Sequence, residues 1–296
     1  MTPEQHIHTI RSHVEIALKE DIGKGDITSL ACLEPNPMHA QIKAKSDGIL
    51  SGVKPVLLAF DIVDSANIIR PLKNDGDSFS HGDIIFEIEG FNQTVLTVER
   101  TALNFLGHLS GIASLTNKFV EKIIGTNCKI LDTRKTTPGI RLLEKQAVLH
   151  GGGKNHRIGL YDMILIKDNH IASAGSITNA IKQTNEYLDT SDFRLQFDAK
   201  KEDIEIEVEV ATIEQLTEAI ECGVMRLLLD NQTADSLKAM VNKARTMNPE
   251  VKLEASGNVN LDTVASIAQS GVDYISIGAL THSAVSSDFT LLTSGE

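Results

Sequence analysis

Apolar residues along this chain fall into three successive rhythms. In residues 6–20, Ile10, Val14, Ala17 and Leu18 share one face of a 3.6-residue period, which predicts an amphipathic helix. Residues 39–98 break into short β-type runs, Ala40–Ala44, Ile84–Ile88 and Thr94–Val98. The turn signals Ser46-Asp47-Gly48 and Asn74-Asp75-Gly76 punctuate them. Residues 97–124 return to helical spacing through Ala102, Phe105, Leu106, Leu109, Ala113, Phe119, Val120 and Ile123, which predicts a long linking helix. Gly107 and Gly111 weaken that helix by roughly 1 kcal/mol each relative to Ala. Close packing against a neighbour is the reason to expect them there.

From about residue 128 the rhythm alternates. The runs Lys129–Leu131, Met163–Ile166, Ile204–Val210, Leu227–Leu229, Val251–Ala255 and Tyr274–Ile277 are separated by helical stretches. That pattern predicts a parallel sheet, closed or open. The runs end at Lys167, Glu209, Asp230, Ser256 and Gly278. From Glu209 on, the ends recur at roughly twenty to twenty-six residues, the length of one βα unit in a barrel. About six such units can be counted, short of eight.

Composition narrows the function classes. The chain has 296 residues, 41% of them hydrophobic, which is globular material rather than a disordered chain. Its 28 Lys+Arg against 40 Asp+Glu give a net charge of -12, which disfavours a nucleic-acid binder. Aromatics are 4%, with no Trp, so stacking platforms for bases or sugars are not expected. No run of apolar residues is long enough to span a membrane, and the start, MTPEQHIHTIRSH, has no apolar signal-peptide core. A cytoplasmic protein without membrane contact is therefore expected. Cys32, Cys128 and Cys222 are odd in number and far apart, so reduced thiols are expected. The glycosylation patterns at Asn92-Gln93-Thr94 and Asn231-Gln232-Thr233 mean nothing without secretion. The loop Glu20–Thr28 lacks the closing Glu of a calcium loop and reads as a tight turn. The turns at 74–77 and 81–85 resemble those of carrier-type lipoyl domains, but no lysine marks a hairpin tip, so they read as scaffold.

Candidate chemistry concentrates between Arg134 and His170. Seven Lys and Arg (134, 135, 141, 145, 154, 157 and 167) face only Glu144, Asp162 and Asp168 there, beside His150, His156 and His170. A positive window in an acidic chain implies an anionic ligand. Arg141 and Lys145, four residues apart, fit a solvated helical face equally well. Lys167 does not, because it closes the buried run Met163–Ile166 and should point into the ligand crevice. Gly151-Gly152-Gly153-Lys154-Asn155-His156-Arg157 is glycine-rich without being a P-loop.

Two further signals are spatially consistent with this. Ile204–Val210 alternates β-branched residues with Glu205, Glu207 and Glu209. An edge strand wetted on one side would look the same. In a barrel the glutamates would point into the lumen, with Glu209 at the mouth and Asp230 in the equivalent place on the next strand. Such a pair suits Mg²⁺ beside a substrate phosphate, or a general acid/base pair. The small residues of Glu254–Asn258 and Ser276–Leu280 follow the last two runs, where barrels often bind phosphate through backbone N–H groups. Cations, paired acids and a phosphate cradle together suit a sugar phosphate with a diphosphate leaving group. No Cys/His or Ser/His/Asp arrangement supports a protein nucleophile.

These residues carry a resemblance. Asp132–Gly139, Gly151–Leu160 and Leu165–His170 look like the quinolinate phosphoribosyltransferase family, and so do Glu99–Asn104, Ser110–Ala113, Glu20–Thr28, Glu207–Val210, Leu228–Asn231 and Glu254–Asn258. The resemblance covers essentially the whole chain. It implies an α/β fold in which an N-terminal α+β sandwich domain (1–115, with the linking helix) precedes an incomplete, seven-stranded TIM-like α/β barrel (116–282). A C-terminal tail (283–296) would return to the first domain. It implies phosphoribosyl transfer from phosphoribosyl diphosphate to quinolinate with loss of CO₂, aided by Mg²⁺, in a homodimer. By motif, Arg100, Arg134, His156, Arg157 and Lys167 would bind the quinolinate carboxylates, Arg100 coming from the partner subunit. Lys135 and Lys167 would face the diphosphate. Glu209 and Asp230 would hold the ribose hydroxyls and Mg²⁺. Ser256, Gly257, Asn258, Gly278 and Ala279 would hold the 5′-phosphate, with Thr133 and Leu280 also lining the substrate. The connection 191–203 is longer than the family's usual lead into the glutamate strand. The remaining alternatives are a related transferase using another aromatic acid, and a non-catalytic sugar-phosphate-binding barrel.

Overall fold

A computed structural model of the protein describes residues 3–293. Among these, no helix is long and apolar enough to cross a membrane. The chain divides into two compact units.

The first unit holds the chain through Asn117, Lys135–Gly153 and the chain from Ala279 on. Its strands are β1 (Pro37–Ala44), β2 (Gly48–Ile49), β3 (Ile68–Pro71), β4 (Ser78–Phe79) and β5 (Ile84–Phe91), with a last strand at Phe289–Thr293. That last strand, β1, β5 and β3 form an antiparallel sheet in this order, and β2 pairs with β4. Alternation in β1 buries Ala40, Ile42 and Ala44. The helix Pro3–Ile22 buries Ile10, Val14 and Leu18, as its period predicts. Of the expected Glu20–Thr28 loop only residues 23–26 are a turn, because Glu20–Ile22 end this helix and Ile27 starts the short helix Ile27–Cys32, capped by Asp26, which accepts from the Ser29 N–H.

One expected strand is helix instead. Thr94–Val98 is the first turn and a half of the helix Asn92–Lys122. Its β-branched residues favour a strand locally. Val95, Val98, Ala102, Leu106, Leu109 and Ile112, however, are all buried on one stripe, and burial along the whole stripe overrides propensity. Gly107 and Gly111 do mark a close approach. A Cβ would lie 2.7 Å from Ser287 O at Gly107 and 2.3 Å from Val285 O at Gly111.

The second unit, Lys118–Arg134 with Lys154–Gly278, is the barrel. Its strands are β6 (Lys129–Leu131), β7 (Ile164–Ile166), β8 (Ile206–Val210), β9 (Arg226–Asp230), β10 (Lys252–Ser256) and β11 (Tyr274–Ser276). They form a parallel sheet in the order β6-β11-β10-β9-β8-β7. All six predicted runs are strands. The first strand lies beside the last, as in a closing barrel, and closure stops on the other side of β6. There Lys154 makes a single parallel bridge to Leu131. The ladder goes no further because the next N–H in register, that of His156, donates to the Asp132 carboxylate at 2.9 Å. The seventh strand is therefore one residue long, and the barrel stays open between Lys154 and β7.

Helices follow the strands, several started by hydroxyl caps. Ser176, Thr212 and Thr233 each accept a backbone N–H of the first turn. The long connection 191–203 forms the short helix Ser191–Phe197 and a 3₁₀ turn Lys201–Asp203. It is anchored by buried Phe193 between the rings of Tyr187 and Phe197.

Candidate active site

In a parallel barrel, the residues just past each strand gather at one end of the sheet. The second unit places Arg134 beyond β6, Lys167 beyond β7, Glu209 as the penultimate residue of β8, Asp230 and Ser256 at the ends of β9 and β10, and Gly278 beyond β11. Pairing of Ile166 with Val208 sets Lys167 level with Glu209. Lys167 Nζ lies 2.8 Å from Glu209 Oε2, with the lysine 46% and the glutamate 13% exposed. Ser256 is in register with Asp230 on one side and Ser276 on the other.

The turn after β10 is shaped by contact with the turn after β9. Asn231 N–H donates to Ser256 O at 2.8 Å, and Asn258 Nδ2 donates to Asn231 Oδ1 at 3.2 Å. Gly257 lies between them at φ +90, and a Cβ there would meet Asn231 Oδ1 at 2.1 Å. Asp230 accepts from Asn231 Nδ2 at 2.6 Å. Asn231 thus packs against the Gly257 turn where a phosphate cradle is expected.

Arg134, Arg157 and Thr133 complete the part of the predicted site that lies in this unit. Arg157 donates to Met163 O at 3.1 Å. Burial, and then the charge of Arg134, lowers the pKa of its guanidinium. Asp162 and Glu207 act in the opposite sense but do not outweigh this, so an added anion would be favoured there. Arg100, Lys135, Ala279 and Leu280 belong to the first unit. Arg100 is 66% exposed and lies 3.6 Å from Glu99. The carbonyl of Lys135 accepts from Thr281 Oγ1 at 2.7 Å, and Leu280 is buried. The solvated-face reading of Arg141 and Lys145 fails for Lys145, which is 1% exposed.

Beneath the mouth lies a buried cluster that joins the predicted His156 and Glu207 to two residues without a sequence signal, Arg226 and Glu254. Glu207 and Glu254 are fully buried. Arg226 reaches Glu254 Oε2 at 2.7 Å, Glu205 Oε2 at 2.9 Å and Glu207 Oε1 at 3.3 Å. Its guanidinium also covers the Tyr274 ring, 4.8 Å from the centroid. His156 Nε2 lies 2.9 Å from Glu207 Oε2 and 3.6 Å from Glu254 Oε1. Burial, then the Glu207 charge, pushes the Glu254 carboxyl up to about 7. Burial raises Glu207 as well, against the pull of Arg226. For Arg226, burial opposes the charge, yet the surrounding carboxylates together outweigh it and raise its pKa. The donor atoms of His156, Glu207 and Glu254 lie within 4.8 Å of one another, as metal ligands would. The guanidinium on both carboxylates already supplies the cation. Period-two alternation did aim Glu207 inward. Arg226 carries no such signal, because it stands just before the apolar run Leu227–Leu229.

Comparison with known proteins agrees with this architecture. Residues 26–110 match the family model "Quinolinate phosphoribosyl transferase, N-terminal domain", and residues 112–292 match its C-terminal domain. A Bacillus subtilis (strain 168) protein named "Probable nicotinate-nucleotide pyrophosphorylase (carboxylating)" is 42% identical over 92% of this chain and 89% of its own. The chloroplastic nicotinate-nucleotide pyrophosphorylase (carboxylating) of Arabidopsis thaliana is 39% identical over 98% of this chain and 84% of its own. The solved nicotinate-nucleotide pyrophosphorylase of Francisella tularensis superposes with a TM-score of 0.89 at 36% identity, covering 99% of this chain and 98% of that one. With that agreement in sequence and fold, the chain belongs to the quinolinate phosphoribosyl transferase family.

Proposed function

We propose that this chain transfers the phosphoribosyl group of phosphoribosyl diphosphate to quinolinate, giving nicotinate mononucleotide, diphosphate and CO₂, a step of de novo NAD formation. The names of its relatives support this reading. So does one feature of the site: cations at Arg134, Arg157 and Lys167 and acids at Glu209 and Asp230 stand at the same end of one parallel sheet.

Quinolinate is a dianion and must shed water to react. One opposite charge at ~4 Å is worth ~4 kcal/mol at an effective dielectric of about 20. Arg134, Arg157 and Lys167 together offset that desolvation and orient the ring. The pyridine nitrogen attacks ribose C1 as the bond to diphosphate breaks, and positive charge grows on the ribose. Glu209 and Asp230 stabilise that charge and accept from the ribose hydroxyls. The turns at Ser256–Asn258 and Gly278 hold the 5′-phosphate on backbone N–H groups. Decarboxylation follows at the carboxylate beside the nitrogen: the C–C bond breaks, the now cationic nitrogen stabilises the electron pair left on the ring carbon, and that carbon takes up a proton from water as CO₂ leaves.

Glu209 and Asp230 also fit Mg²⁺, because both are hard oxygen donors at the ends of paired strands. Bound there, the ion would neutralise charge developing on the diphosphate. The active unit is a homodimer in which Arg100 is given to the partner's site, a reading that its exposure supports. The test is a paired assay of diphosphate and CO₂ release with quinolinate or nicotinate as acceptor. Stoichiometric release of both with quinolinate is expected. Equal turnover of nicotinate would move the chain to another aromatic acid, and no turnover of either would leave a binding protein.

A further inference from the structure

Both ring nitrogens of His156 are engaged inside the second unit. The Arg157 N–H donates to Nδ1 at 2.7 Å, so Nδ1 carries no proton. Nε2 therefore carries one and donates it to Glu207 Oε2 at 2.9 Å. The ring is only 7% exposed. The ring ties the backbone that bears Arg157 to a fixed point. That backbone is tied a second time where the His156 N–H meets buried Asp132.

The fixed point is Arg226. Its planar fork spans Glu207 and Glu254 at once, and Tyr274 holds its plane. Glu207 passes the constraint to Nε2, and Glu254 stands 3.6 Å from the same nitrogen. Two buried carboxylates without this cation would repel each other and let the ring turn.

We propose that Arg226 is a positioning residue for the aromatic acid: by gripping Glu207 and Glu254 it locks the His156 ring, and through that ring the backbone from which Arg157 reaches the substrate carboxylates. The inference rests on the reading of Arg157 as a carboxylate contact. Partners that orient a binding group are known to matter nearly as much as the group itself.

The test compares steady-state kinetics of Arg226→Met, Arg226→Lys and Arg157→Ala, with thermal melting of each. Arg226→Met should raise KM for quinolinate about tenfold while KM for phosphoribosyl diphosphate stays within about twofold. Arg226→Lys keeps the charge but cannot fork, so it should fall between Met and wild type. Arg226→Met leaves two buried acids unpaired and can fail to fold. The double variant Glu207→Gln/Arg226→Met removes one charge of each sign and should show the same selective rise. If Arg157→Ala raises the quinolinate KM but folded Arg226 variants leave it unchanged, or raise both KM values alike, the positioning role is overturned. If Arg157→Ala itself has no effect on quinolinate, the carboxylate reading fails instead.

Discussion

Lys167 and Glu209 show how a strand end turns a side chain into site chemistry. Each follows or closes a short apolar strand, and pairing of Ile166 with Val208 brings the two level. At 46% and 13% exposure their ion pair contributes about 0–1 kcal/mol to stability, so its meaning is positional. Arg134 and Arg157 are held in the opposite sense, like charge beside like charge. Removing one of them should cost substrate binding rather than folding. Arg134→Ala is expected to lose about 1.5–3 kcal/mol of interaction, the range for a charged hydrogen bond. That is roughly tenfold to 150-fold in kcat/KM for quinolinate. An unchanged kcat/KM would remove Arg134 from the carboxylate site.

At the level of elements, the helix Asn92–Lys122 sets packing against propensity. Ala in place of Gly111 gains roughly 1 kcal/mol of helix propensity. The new Cβ would sit 2.3 Å from the Val285 carbonyl, a backbone atom that cannot swing aside. Overpacking of this kind costs about 1–3 kcal/mol, so the clash wins. Gly111→Ala should lower the urea midpoint despite the better helix former. A rise would show that the segment after His282 yields more easily than a packed backbone should. The same contest explains Thr94–Val98, where buried Val95 and Val98 continue the helical stripe and β-branching loses.

For the whole molecule, buried charge governs pH dependence. Glu254 binds its proton more tightly folded than unfolded, its carboxyl being raised to about 7 from an ordinary 4.5. Its contribution to stability is fully present below pH 4.5 and is lost as pH rises to about 7. Glu254→Gln should therefore flatten the decline in stability across that window relative to wild type, as read from urea midpoints at several pH values. Parallel curves would mean that Arg226 holds the carboxylate charged throughout. The proposed homodimer gives a second test at this scale. Mixed dimers of Arg100→Ala and Lys167→Ala protomers should regain about a quarter of wild-type activity, because half are mixed and each mixed dimer has one intact site. No recovery would place Arg100 in its own protomer's site.

Much of this was legible in the chain alone. The six parallel strands, the cations and acids at their ends and the small residues of Glu254–Asn258 and Ser276–Leu280 follow from period, spacing and local charge reversal. These are properties a residue carries with it along the strand. Only the tertiary structure decided that the seventh strand shrinks to Lys154, because Asp132 captures the N–H that would extend it. It also decided that Thr94–Val98 is helix, and that Arg226, Glu207 and Glu254 close on His156 inside the lumen. Those outcomes depend on which atoms from distant parts of the sequence compete for one donor, one cation or one buried face, and that competition exists only once the chain has folded.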